Sequence, residues 1–328
     1  MIQITGEQFC EYIKKDPSWA NCLTYEVEVT SNVVATNIKG LELSQFLHFK
    51  GSTPDETPVR ICADFTGCSF AYPIPHANFY GGVVLSGTNI QSTRNLKFLG
   101  DEPAITELIQ CTDLIEVVGE FQGPLHIASC RSLERVDITV ADAPPKKVGL
   151  DLYGSPNVTH IKAVVNACVR IRDTAIESTE DIKVLNAKPA HRAAIFSNNQ
   201  NLKIATGTWP GSVWHMGSAV EIIDNLHTQN SPVGGKNYAN LFEGCKHLKT
   251  IKNSSGTFVL SNTPLEIIRN VKSEMLILLG CTNIREMPEH LVLDLGEENT
   301  KMNADVRKRL IQEIEMRRKL KTGNKLEI

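Results

Sequence analysis

One phrase recurs along this chain and restricts its fold more than any other feature. Written with h for an apolar residue, it reads h-x-h-x-x-Cys-x-x-h-x-x-h, as in "LHIASCRSLERV", "LILLGCTNIREM" and, with a shorter apolar lead, "FEGCKHLKTI". At Cys130 the apolar set is Leu125, Ile127, Leu133 and Val136; at Cys281 it is Leu276, Leu278, Ile284 and Met287. Ser155 and Asn199 stand at the same place in further copies, with Leu150, Leu152, Val158 and Ile161 around the first and Ala194, Phe196, Leu202 and Ala205 around the second. A second phrase with a Ser or Thr anchor is interleaved, at Thr88, Thr174, Ser218 and Thr263; His215 breaks the apolar pattern of the Ser218 copy.

The anchors fall at 68, 88, 111, 130, 155, 174, 199, 218, 245, 263 and 281, spaced 18 to 27 residues apart. Such a period predicts a solenoid, because one turn cannot bury its apolar side alone and a stack shares a continuous core. The two apolar residues before each anchor are two apart, so both face one side of a short strand. The anchor then turns the corner, where a hydroxyl or thiol can bond backbone groups that leave the sheet. The expected fold is therefore an α/β or mainly β repeat solenoid. Residues 1–60 are expected to form an N-terminal cap, 61–292 about eleven turns, and 293–328 a C-terminal helical cap and tail.

The cysteine phrase resembles bacterial leucine-rich repeats of the BspA-like kind and is similar to cysteine-containing repeats. "NLKIATGTWPGSVWHMGSAVEIIDNL" also resembles repeats in bacterial and phage-associated proteins, including candidate secreted effectors. The resemblance covers roughly residues 60 to 290 and implies a leucine-rich-repeat-like fold. Irregular turn lengths and missing asparagines keep a parallel β-helix as the alternative.

Both ends read as caps. "ITGEQFCEYIKKDPSWA" pairs Thr5 with Gln8 at capping-box spacing and gives Phe9, Tyr12 and Ile13 a helical stripe. "YEVEV" and "LELSQFLHF" read as strands joining that cap to the repeats. Residues 303–320 form the strongest helix pattern, with Val306, Leu310, Ile314 and Leu320 inward and Arg307, Lys308, Arg309, Arg317, Arg318 and Lys319 solvated.

A 41% hydrophobic, 22% charged composition is that of an ordinary globular chain, and a formal charge of −3 predicts no general affinity for nucleic acid. No apolar run is long enough to span a bilayer, and "MIQITGEQFCEYIKKDPSWA" has no apolar signal core. Nine scattered cysteines without a CxxC pair read as reduced thiols. The expected location is the cytoplasm, or a host cell reached without a signal peptide.

No catalytic residue, metal site or cofactor is expected: the chain has no HExxH, GxSxG, P-loop or Rossmann pattern. Cys111-Thr112-Asp113 matches the Cys-x-Asp motif of bacterial leucine-rich-repeat ubiquitin ligases, but Cys111 is also a repeat anchor. A carbohydrate-active β-helix enzyme needs two close carboxylates, and Asp64, Glu107, Asp151 and Glu243 are spread over separate turns. The expected site is instead the outward face of the pre-anchor strands. There His126, Asp151, Tyr153, Arg170, Arg172, Trp214 and Met216 form the aromatic and arginine composition of a protein-binding face. The leading expectation is thus a protein-interaction module, with a carbohydrate-active enzyme and a ubiquitin-ligase-like effector as alternatives.

Overall fold

The computed structural model describes residues 83–94, 96–98, 105–141, 148–186, 192–229, 239–273, 275–293 and 300–321, with short strands at Ile2–Ile4, Val27–Val29, Gly51–Ser52, Pro58–Val59, Ala63–Asp64 and Ala77–Phe79. The N-terminal helix, the Cys68 anchor, "LELSQFLHF" and the tail after 321 lie outside these residues. "YEVEV" contributes Val27–Val29, as a strand.

The repeats build parallel sheets in two compact units, one of Met1–Ile176 with Asp181–Asn186, the other of Glu177–Glu180 with Ala187–Ile328. In the first unit, the pre-anchor strands Thr106–Ile109, Leu125–Ala128, Val148–Tyr153 and Cys168–Arg172 pair side by side in a front sheet. Each is followed, past its corner, by a strand of a back sheet, including Glu116–Phe121, Arg135–Val140 and His160–Val165. In the second unit the front sheet runs Ala194–Ser197, Val213–Met216, Asn240–Glu243, Phe258–Val259, Leu276–Leu278, Thr300–Met302. Its back sheet runs Ile204–Trp209, Ile222–Thr228, Thr250–Lys252, Ile267–Arg269. The chain is therefore a mainly β repeat protein in which the residues after the anchor, as well as those before it, form strands.

Alternation explains the strands. "RVDITV" and "HIKAVV" place β-branched and small residues at every second position, and Val136, Ile138, Val140, Ile161, Ala163 and Val165 are all buried between the sheets. Aromatic rings fill the wider places. Phe98 stacks on Phe121 at 4.4 Å, and Trp209 meets Phe196 edge-on at 5.9 Å.

The corners follow one rule. All ten anchors among the described residues are buried, none more than 5% exposed. The residue just before each one has left-handed backbone, with φ between 54° and 77°: Gly87, Gln110, Ser129, Gly154, Asp173, Asn198, Gly217, Gly244, Asn262 and Gly280. That conformation suits glycine and short polar side chains, and it swings the chain out of the front sheet. Five anchors donate to a carbonyl of the preceding turn, while Thr88, Ser155 and Thr263 donate to Leu85 O, Tyr153 O and Leu260 O of their own turn. Cys111 Sγ reaches Leu85 O at 3.0 Å, Cys130 Sγ reaches Leu108 O at 3.3 Å, and Cys281 Sγ reaches Leu260 O at 2.8 Å. Ser218 Oγ and Cys245 Sγ make the same bond to Phe196 O and His215 O, each at 3.5 Å. A small donor is required here because the site is a packed interior with a carbonyl to satisfy.

The four anchor cysteines among the described residues, Cys111, Cys130, Cys245 and Cys281, are free and buried. The interaction between the neighbouring corner thiols pushes Cys130 up and Cys111 down to about 7, while burial pushes Cys245 up to about 12. Cys130, Cys245 and Cys281 are accordingly expected to resist a maleimide in the folded protein and to label fully in denaturant. Mass spectrometry of labelled peptides reads this directly; rapid native labelling of all three would exclude inward-facing anchors.

At the C-terminal end, Asn303 Oδ1 accepts the Asp305 amide at 2.9 Å and caps the helix Ala304–Lys321. Val306, Leu310 and Ile314 form its buried stripe. Arg307 donates to Val292 O at 3.2 Å and Arg309 to Ile284 O, so two guanidiniums finish carbonyls of the preceding segment.

Candidate functional site

Outward residues of the front sheet alternate with the core positions, and the parallel register lines them up in columns. In the first unit Glu107, His126, Asp151 and Arg170 hold one column, and Tyr153 sits beside Arg172 in the next. Register alone therefore brings five of the seven expected site residues together.

Their side chains form a connected network. Asp151 accepts from both neighbouring arginines, from Arg170 Nη1 at 3.1 Å and from Arg172 Nη2 at 3.2 Å. Arg172 lies over the Tyr153 ring, 4.8 Å from its centroid, and His126 packs against the other side of this group, 5.4 Å from Tyr153. His126 Nδ1 approaches Glu107 Oε1 at 4.0 Å, the outer limit of an ion pair. The carboxylate is mostly covered while the two guanidiniums are each about a third exposed, so Asp151 serves as the strut and the arginines as the presented groups. The aromatic ring fixes the plane of one of them.

Trp214 and Met216 lie in the second unit, on the strand Val213–Met216, with their side chains outward and part-exposed. Sequence reasoning did not find Arg192, whose guanidinium carbon lies over the Trp214 ring, 3.4 Å from its centroid. Arg192 precedes its strand, where no periodic pattern predicts direction. Within the second unit, Trp214 belongs to a column of Ile195, Trp214, Leu241, Val259 and Ile277 in unbroken register.

His215, between Trp214 and Met216, points the other way. It is buried, stacked between Phe196 at 4.9 Å and Phe242 at 4.8 Å, with neither ring nitrogen hydrogen-bonded. Burial pulls its pKa down to about 3, so the ring is neutral and belongs to the core.

The back sheet carries a different surface. In the first unit Arg94 holds Glu116 at 2.8 Å and keeps that carboxyl below its usual range, and Arg135 and Lys162 both face Asp137. In the second, Lys252 pairs with Asp224, Arg269 with Glu286, and Arg285 with Glu266. Asparagines bridge the turns at the rim, Asn270 to Asn253 at 2.9 Å and Asn253 to Asp224 at 3.1 Å.

Cys111 of the Cys-Thr-Asp motif is fully buried and bonded at its corner, while Asp113 is exposed in the turn beyond it. The two halves of the motif thus face different surroundings. Among the described residues no group of three or more His, Cys, Asp or Glu side chains converges as a metal site would require. No helix of the described residues is long and apolar enough to cross a membrane. Searches with family models, against curated proteins and against solved structures returned no match.

Proposed function

We propose that the chain is a protein-interaction module that binds through the outward face of its front-sheet strands, with His126, Asp151, Tyr153, Arg170 and Arg172 in one unit and Trp214 and Met216 in the other. The supporting observation is the contrast between the two sheets. Back-sheet charges are paired with one another, as on a solvated surface. The front face pairs Asp151 with Arg170 and Arg172 as well, but there guanidiniums also lie over aromatic rings, Arg172 over Tyr153 and Arg192 over Trp214. Arginine and aromatic side chains held by a rigid sheet lose little entropy on binding, and these residue types dominate interface energetics. Kinship to leucine-rich repeats is part of this proposal, supported by the one-per-turn corner with its buried anchor; strands on both limbs of each turn favour the alternative, a parallel β-helix.

Tyr153→Ala, Arg172→Ala and Trp214→Ala are expected to fold as the parent does, since none lies between the sheets. Each true anchor is expected to weaken partner binding by about 2 kcal/mol, roughly thirtyfold. Circular dichroism melting establishes the fold first, and quantitative capture of binding proteins by the three variants and the parent then reads the effect. Equal capture by all four proteins would rule this face out.

A further inference from the structure

We propose that the first unit's front face recognises an acidic peptide segment, docking two of its carboxylates, about 6–7 Å apart, on Arg170 and Arg172. This rests on the reading of that face as partner-binding and names the chemistry of the partner.

Arg170 and Arg172 stand two residues apart on the strand Cys168–Arg172, both outward. Each side chain is 36% exposed, against 19% for the Asp151 they share. Asp151 takes one terminal nitrogen from each, Nη1 of Arg170 and Nη2 of Arg172. Among the described residues it is the one hydrogen-bond acceptor that either guanidinium has. The second terminal nitrogen of each is left over, and one carboxylate against two guanidiniums leaves a positive charge in excess.

Arg172 is held in a state that favours an anion. Its Nε is shut off from solvent without an acceptor, and the Tyr153 ring lies under the guanidinium, 4.8 Å away at its centroid. A cation that has lost water without matching hydrogen bonds gains more from a new acceptor than a solvated one does.

Where that acceptor can sit decides its form. The two guanidiniums converge on Asp151, one on each carboxylate oxygen, so a compact anion such as phosphate finds the point of convergence occupied. One flank of each arginine stays open, and alternate residues of a strand recur at about 6.6 Å. Carboxylates at i and i+2 of an extended segment repeat at that same distance, and those at i and i+4 of a helix at about 6 Å. The ligand is the same in both forms, two acids on one side of a peptide.

Other charges delimit the strip. Glu107 lies three rungs from Arg170, close to His126, and Asp173 is exposed at the corner just past Arg172. Acids displaced from the arginines toward either side meet these carboxylates, which confines the register.

The probe is a blocked, coumarin-labelled octapeptide, Thr-Thr-Glu-Thr-Glu-Thr-Thr-Thr, titrated with the full chain by fluorescence anisotropy at about 20 mM salt. Threonine keeps it extended. It is expected to bind at least tenfold more tightly than the same peptide with Gln for Glu. It is also expected to bind at least threefold more tightly than its isomer Thr-Thr-Glu-Thr-Thr-Glu-Thr-Thr, whose acids face opposite sides. Arg170→Gln and Arg172→Gln, each melting as the parent does, are expected to weaken binding at least fivefold. Asp151→Asn keeps one acceptor oxygen between the arginines and removes the competing charge, so it is expected to tighten binding severalfold. A purely structural cluster would lose binding instead.

No preference for the Glu peptide over the Gln peptide overturns the proposal with the parent protein alone. Equal binding of the two isomers, loss of binding in Asp151→Asn, or displacement of the peptide by equimolar inorganic phosphate also overturns it. If the peptides fail while Tyr153→Ala and Arg172→Ala still lose partner capture, this inference falls and the interaction reading stands. Undiminished capture by all three alanine variants removes the interaction reading itself.

Discussion

Acidification from pH 7 to pH 4 is expected to remove roughly 3 kcal/mol of stability through His215 alone. The ring is buried neutral between two phenylalanines, and its folded-state pKa of about 3 lies well below the ordinary 6.5. Between those values the unfolded chain binds a proton that the folded chain refuses. The stability this neutral ring retains is complete above pH 6.5 and is lost progressively as the pH falls toward 3. His215→Phe keeps the stack and abolishes the proton. Urea unfolding of parent and variant at pH 7 and pH 4 separates this effect from carboxylate titration, which both proteins share. The variant is also expected to be the more stable at pH 7, because two buried nitrogens without hydrogen bonds disappear. Equal loss of stability on acidification in both proteins would exclude His215 as the source.

Gly280→Ala is expected to cost about 2–4 kcal/mol, far more than an exposed glycine normally does. Gly280 has φ of +77°, and a Cβ there would lie 2.1 Å from Asn262 Oδ1 of the preceding turn. Backbone strain accounts for about 1–2 kcal/mol and the clash for the remainder. Gly244→Ala is the internal control: its φ is +68°, but the nearest atom to its Cβ is 3.5 Å away, an ordinary contact. It is expected to show the backbone component alone. In an Asn262→Gly background the Gly280→Ala cost is expected to shrink to the Gly244→Ala value. Urea midpoints of the four proteins test this, and identical costs for the two alanines would dismiss the steric account.

The apolar positions and the anchors were legible because a solenoid repeats one environment, so a weak signal at a single turn is reinforced by its neighbours. The residue before each anchor was not read, although five glycines, two asparagines, Asp173, Ser129 and Gln110 all tolerate the left-handed backbone found there. Its signal is spread over five residue types and declares itself only when the corners are superimposed. The back strands were also hard to see, since the corner resets the alternation and Leu133 and Val136 belong to different parts of the turn, one to the corner and one to Arg135–Val140. At the candidate site, Asp151 and Tyr153 could be set beside Arg170 and Arg172 from register alone. The position of Arg192 on Trp214 could not, because it depends on a loop path. His215 looked like a break in the pattern, and the two phenylalanine faces that absorb it come from the turns on either side.

The corner bonds tie each turn to its neighbours on both sides. The side chains of Cys130, Ser218, Cys245 and Cys281 donate back to Leu108 O, Phe196 O, His215 O and Leu260 O of the turn before, while the amides of Cys130 and Asn199 donate forward to Ser155 Oγ and Ser218 Oγ of the turn after. During synthesis from the N-terminus, the most recently added turn therefore has corner groups that wait for its successor. A cut within a turn leaves both an unmatched donor and an unmatched acceptor, whereas excising a span from one anchor to the next removes one of each and rejoins like to like. The heritable unit of lengthening or shortening in such a chain is the anchor-to-anchor segment of about twenty residues, whichever residue the repeat is counted from.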